Sequence, residues 1–291
     1  MYSPGATAGI AVGSAFAAAT IVTIVFTACW LTRQRRKTIP KPSPPRHRSI
    51  LDDLPQDIAH DVLRQEFSRL ESQIKTVVAN YFHDEPLRTG SVNSDKLDAV
   101  LGGNAINATN TQWSTHLCDT STRPTFLKLY IARVLCARIE PANVSEATLL
   151  PLDVVRCYQA ALLKSRHSYS PELLEHWRAT TAFLLAERYP QDRLVRDDTR
   201  ARNIKRAVAD LLDALQPFRK ENSEQRSIDA LESLATRFAV LGFKLFSQID
   251  RTEIVWPGPL SSANRTVIFP ALRQHNVDEG RDITIRDASL E

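Results

Sequence analysis

Two His-Asp doublets, His60-Asp61 and His83-Asp84, are the residues of this chain best suited to metal chemistry. A neutral imidazole and a carboxylate can hold a divalent cation, and a bound cation lowers the pKa of a water for attack on a phosphoester. With Asp153 they could be set out as a His, a His-Asp pair and a distant Asp. Spacing argues against that order. Both doublets belong to one helical stretch, so His60 and His83 lie roughly 35 Å apart at 1.5 Å per residue, while metal ligands must converge on one ion. His60 and Asp61 also fall on the polar side of that helix. An HD-type metal phosphohydrolase is therefore set aside.

Other chemistry finds no frame. The sequence has no GxxxxGK[ST] or GxGxxG phosphate loop and no GxSxG, HExxH or kinase signature. Cys118, Cys136 and Cys157 lack the spacing of a zinc site or a disulfide framework. No catalytic, cofactor-binding or metal-ligating residue is assigned, and no cofactor is expected. Arg193, Arg196, Arg200, Arg202, Lys205 and Arg206 alternate with Asp192, Asp197 and Asp198. That mixture reads as a solvated, salt-bridged helix face.

The strongest signal is a charge boundary. Residues 1–32 contain no Asp, Glu, Lys or Arg, and the next sixteen contain Arg33, Arg35, Arg36, Lys37, Lys41, Arg46 and Arg48 with no acid. A bilayer core needs about 20 apolar residues in a helix, and 8–32 meets that length. The leader lacks the basic n-region of a secretory signal and the arginines of a mitochondrial presequence. Positive residues stay on the cytoplasmic side. The expected topology is a short extracytoplasmic tail (1–7), a transmembrane helix (8–32) and everything after it in the cytosol. Gly5, Gly9, Gly13 and Ala17 recur every four residues, which is either a smooth stripe for close helix packing in a homodimer or the chance register of an Ala/Gly-rich anchor. The slim outer half suits a plasma membrane or late secretory membrane.

Residues 33–50 form a basic, Pro-rich linker that cannot build a core and is drawn to anionic lipid. Ser43, before Pro44, and Ser49, after Arg46-His-Arg48, are candidate phosphorylation sites that would weaken that attraction. Cys29, at the inner end of the anchor, is a candidate for palmitoylation. The net charge of the chain is +4, so removing the seven linker charges leaves −3. The basic character is local, and a nucleic-acid partner is not expected. The sequons at Asn107, Asn143 and Asn264 would matter only in a lumenal domain.

The remainder reads as a mainly α protein: a helical domain over 51–250, an extended or hairpin segment over 251–275 and a flexible tail over 276–291. Leu63, Phe67, Leu70, Ile74, Val77 and Tyr81 make a heptad-like seam in a helix from about Pro55 to Phe82. That seam suits either a coiled-coil dimer continuing the anchor or the core of a bundle. After a polar stretch (84–122) with one short helix from Ser94, helical periodicity is expected over 124–139, 152–164, 171–189, 191–218 and 223–247. Ile254–Trp256 and Thr266–Phe269 read as a hairpin or two strands. Trp256 and Phe269 should pack near Phe243 and Phe246.

Three segments carry a likeness: Leu70 to His83 (LESQIKTVVANYFH), Leu241 to Gln248 (LGFKLFSQ) and Val267 to Leu272 (VIFPAL). They resemble a group of uncharacterised single-pass membrane proteins of filamentous fungi, in which anchor, basic linker, helices and extended tail follow in similar order. The resemblance implies that helical domain and tail form one unit. It brings no activity and no functional residue. The expectation is a membrane-tethered interaction or scaffold protein with a protein partner. The alternative is an enzyme with an all-helical active site.

Overall fold

The computed structural model describes residues 57–87, 90–101, 113–142, 147–168, 171–221, 223–257, 266–276 and 281–291. The chain divides into Met1–Asp53 and Leu54–Glu291, and all described residues belong to the second unit. The anchor with its stripe (Gly5, Gly9, Gly13, Ala17), the basic cluster from Arg33 to Arg48, Cys29, Ser43, Ser49 and the three sequon asparagines lie outside the described residues. Among the described residues, no helix is long and apolar enough to cross a membrane.

The architecture is mainly helical with a few C-terminal strands. Its helices are α1 (His60–Tyr81), α2 (Ser94–Leu101), α3 (Trp113–Cys118), α4 (Arg123–Ile139), α5 (Leu152–Ser168), α6 (Pro171–Leu184), α7 (Arg200–Ala214) and α8 (Glu224–Ser247). A 3-10 turn, Gln216–Phe218, follows α7. The strands are β1 (Arg251–Val255), β2 (Val267–Phe269), β3 (Ala271–Asn276), β4 (Arg281–Arg286) and β5 (Ser289–Leu290).

α4 is the centre. Thirteen of its 17 residues are buried, on every side of the helix, as expected for an element wrapped by others. Pro124 sits in its first turn, where the missing N–H is no loss. Around it, Leu63, Phe67, Leu70, Ile74 and Val77 of α1 join Leu231, Leu234, Phe238, Leu241 and Leu245 of α8 in the main core. The α1 seam is therefore filled by the chain's own helices, and a coiled coil on that face would require opening the bundle. α8 turns a second side, Phe243 and Phe246, to a smaller cluster with Tyr158, Leu174 and Tyr189.

Five expectations change. A helix forms at Trp113–Cys118 inside the stretch read as mostly polar, because Trp113 and Leu117 are buried beside α4. The helix expected over 191–218 begins only at Arg200, since Asp198 turns back to accept the backbone N–H of Arg200 at 2.9 Å. The tail does not make a hairpin of its first two strands. β1 pairs antiparallel with β3 and β3 with β4, while β2 pairs with β5. Pro270 interrupts β2 and β3, and the chain changes sheets there. Residues 281–290, expected to be flexible, supply β4 and β5. Finally, Phe269 packs on Phe67 of α1 at 4.7 Å, and Trp256 lies beneath the Arg133 guanidinium at 3.8 Å. Neither joins the Phe243–Phe246 cluster.

Polar contacts fasten the tail to α1 and to the residues just before it. The Ile58 N–H donates to Gln248 at 2.8 Å, and Gln274 donates to Asp57 at 3.1 Å. His60 also meets Gln274, and Glu71 receives Arg286 and Ser289. Helical domain and tail are one packed unit.

α8 lies close against the end of α4 at Gly242, where an added Cβ would sit 2.7 Å from Ile139 Cβ. Gly242→Ala therefore forces the two helices apart. Overpacking costs about 1–3 kcal/mol, more than the roughly 1 kcal/mol that alanine gains in helix propensity. Chemical denaturation of the variant should show a lower midpoint. An unchanged or higher midpoint would mean that the crossing has slack.

Candidate functional site: a cleft where the central helix ends

Arg178 organises the site. It is buried on α6, and its guanidinium donates to the Leu245 and Phe246 carbonyls at 3.1 and 2.7 Å and to the Ile249 carbonyl at 3.2 Å. Those are two carbonyls of the last turn of α8 and one just past it, where the helix's own N–H groups run out; the Leu245 carbonyl also accepts the Gln248 N–H at 3.4 Å. A cation there also meets the negative end of the helix dipole. Glu175, one turn earlier on α6, accepts from Arg178 Nε at 2.8 Å. With α8 ended this way, the chain leaves directly into β1.

Between that junction and the end of α4 lies a cavity of about 250 Å³. Ile139, Leu245, Phe246 and Ile254 give it apolar walls, and Glu140, Tyr158, Glu175, Arg178, Arg251, Thr252 and Glu253 bring polar groups. Arg251 and Glu253 pair with each other at 2.6 Å, both about half exposed. The Thr252 hydroxyl is shut off from solvent and has no hydrogen-bond partner among the described residues.

Glu140 is the electrostatic focus. Burial pushes its carboxyl up to about 7, against the attraction of Arg133, and Glu253 adds to the rise. Burial likewise lowers Arg133 to about 10, with Cys136 and Glu140 opposing. An acid held near neutrality in a cleft marks a candidate functional position. The sequence carries no motif for it: Glu140 is one residue beyond α4, and Arg133 is on that helix, but Glu253, which faces it, lies far along the chain.

α5 and α6 also carry exposed apolar side chains. On α6, Leu173 is 55% and Leu184 74% exposed. They lie eleven residues apart, three helical turns, on one side of the helix with half-buried Trp177 between them. Phe183 and, on α5, Leu163 are also exposed.

The residues first considered for metal chemistry do not converge. His60 opens α1 and meets Gln274, while His83 follows the far end of α1 and faces the Pro217 carbonyl at 3.1 Å. The Arg-rich stretch divides. Arg193, Arg196, Arg202, Lys205 and Arg206 are exposed, but Arg200 and Asp198 form a fully buried pair at 2.7 Å. No family model, curated protein or solved structure matches the chain.

The raised Glu140 pKa has a thermodynamic consequence. A carboxyl whose folded pKa lies above its unfolded value supports the fold most below the unfolded value, near 4.5, and that support is lost as pH rises through about 7. Glu140→Gln removes the penalty of burying the charge. The melting temperature of the variant should exceed that of the parent clearly at pH 8 and little at pH 5. An equal difference at both values would contradict a buried, near-neutral acid.

Proposed function

We propose that this chain is a membrane-tethered interaction protein. Residues 8–32 are its anchor, the N-terminus lies outside, and the helical domain lies in the cytosol at a plasma membrane or late secretory membrane. The linker over 33–50 rests on anionic lipid, and Gly5, Gly9, Gly13 and Ala17 offer the anchor a path to homodimers. The observation that carries the reading is the set of exposed apolar side chains on α5 and α6. Leu173, Trp177 and Leu184 stand in register along one helix side, the spacing with which a groove or seam takes an amphipathic helix of a partner protein. A contiguous apolar surface rimmed by polar residues is costly to leave in water and marks interaction sites. The rival reading is an enzyme with an all-helical active site; the cleft around Glu140 gives an enzyme a place to act, but β1 lines it together with the helices.

Proximity labelling with the full-length chain tests this. Exchanging Leu173 and Leu184 together for Asp touches only exposed positions, so folding and membrane fractionation should stay as in the parent. A defined set of cytosolic neighbours should lose labelling in the variant. Identical labelling of parent and variant would remove the docking face from the account.

A further inference from the structure

The loop ahead of α7 and the outer side of α7 are more basic than the sequence suggests, because the structure places one of the nearby acids inside the domain. Asp198 is buried against Arg200 at 2.7 Å, so it is not available to the arginines around it. Arg193, Arg196, Arg202 and Lys205 are exposed, and their side chains make no ion pair or hydrogen bond among the described residues. The salt-bridged face expected there does not form. We propose, on the membrane-tethered reading above, that this surface is a membrane contact of the folded domain itself: it lies on anionic lipid headgroups and orients the domain.

Placement supports this. The linker leads into the domain at Asp57 and Ile58, and both are held at the end of α8. The Ile58 N–H donates to Gln248 at 2.8 Å, and Asp57 accepts the Ile249 N–H. The basic loop is fixed to the same end, where Gln191 donates to the Ser247 hydroxyl at 2.9 Å. Ser247 and Gln248 are neighbours in the chain, so linker entry and basic loop meet the end of α8 side by side. Leu194 packs on the main core, and the Tyr189 and Thr199 hydroxyls close the loop at 3.2 Å. The loop is thus built into the domain. α7 carries the charge onward. Its buried residues include Ile204, Ala207, Val208 and Leu211, which leaves Arg202 and Lys205 on the outer side.

Charge distribution supplies the orientation. Residues 186–206 contain seven Lys or Arg and four acids, a net of +3. The chain beyond the linker totals −3, so the remainder of it carries −6. An anionic surface attracts the first part and repels the second, which favours one way of lying on it. Tethering selects lipid over a soluble polyanion. Residues 33–56 reach at most roughly 85 Å when extended, and a contact confined that closely needs little affinity of its own.

Chemical footprinting of the full-length chain in proteoliposomes tests the proposal, with phenylglyoxal as the arginine reagent and mass spectrometry as the readout. Vesicles of phosphatidylcholine alone are compared with vesicles that also contain phosphatidylglycerol. Modification of Arg193, Arg196 and Arg202 should be at least about threefold slower with phosphatidylglycerol. Arg69 on α1 and Arg226 at the other end of α8, both exposed, should react alike in the two. Raising the salt to about 1 M, where the Debye length is about 3 Å, should remove the difference. Exchanging Arg193 and Arg196 together for Gln changes only exposed side chains, so the melting curve should match the parent's while Arg202 loses its protection. Carbonate extraction reads the anchor separately. A chain that carbonate strips from the vesicles would remove the anchor and this inference with it. A chain that stays, with the three arginines reacting equally in both vesicles or with protection confined to residues 33–48, would overturn this inference alone. Protection of the three by soluble polyglutamate and not by phosphatidylglycerol would assign the surface to an acidic protein and overturn it as well.

Discussion

The grip of Arg178 on the end of α8 is the contact on which the site depends. One planar guanidinium satisfies three carbonyls and one carboxylate. Lysine has a single ammonium on a flexible stem and cannot reproduce that fork. Because α8 ends where Arg178 holds it, β1 starts beside the end of α4, and the Glu140 cleft exists between them. α6 therefore has two jobs, with Arg178 and Glu175 facing the cleft and Leu173 and Leu184 facing outward.

The same device recurs through the domain. Arg123 donates to the Leu117 and Cys118 carbonyls at the end of α3, at 2.7 and 3.0 Å. Arg200 pairs with Asp198 and reaches the Ala239 carbonyl in the middle of α8 at 3.0 Å. Its guanidinium also lies over the Tyr189 and Phe243 rings. Buried ion pairs seldom add much net stability, because removing two charges from water offsets their attraction. Losing one partner, however, leaves a stranded buried charge, which is costly. A domain with few glycines can end and join its helices with arginine forks.

This explains what the sequence disclosed. Long elements with a regular apolar period, such as Leu63–Val77 of α1 and Leu231–Leu245 of α8, were legible because 3.6-residue spacing is a property of the element itself. The position of Pro124 likewise marked the start of α4. Arg200 was hidden among exposed arginines, since nothing local separates a buried guanidinium from a solvated one when each has an Asp nearby. The α3 helix escaped because six residues carry too little periodicity. β4 escaped because charged ends masked the alternation of Ile283 and Ile285 with Asp282 and Thr284. The cleft was not legible at all. Glu140, Arg178 and Glu253 are separated by 38 and 75 positions in the chain, and only the packing of α4, α6 and β1 brings them together. Phe269 went to Phe67 because the sheet pairing that directs it is equally non-local.

The central claim is that the Arg178 fork sets where α8 stops and β1 begins, and thereby forms the cleft. Amide hydrogen exchange on Arg178→Lys tests it most directly. The substitution keeps the charge and removes the fork. The account predicts a selective loss of protection from Gln248 through Val255, with the amides of α1 and the middle of α4 exchanging as in the parent. Unchanged protection across Gln248–Val255 in a folded variant would contradict the claim.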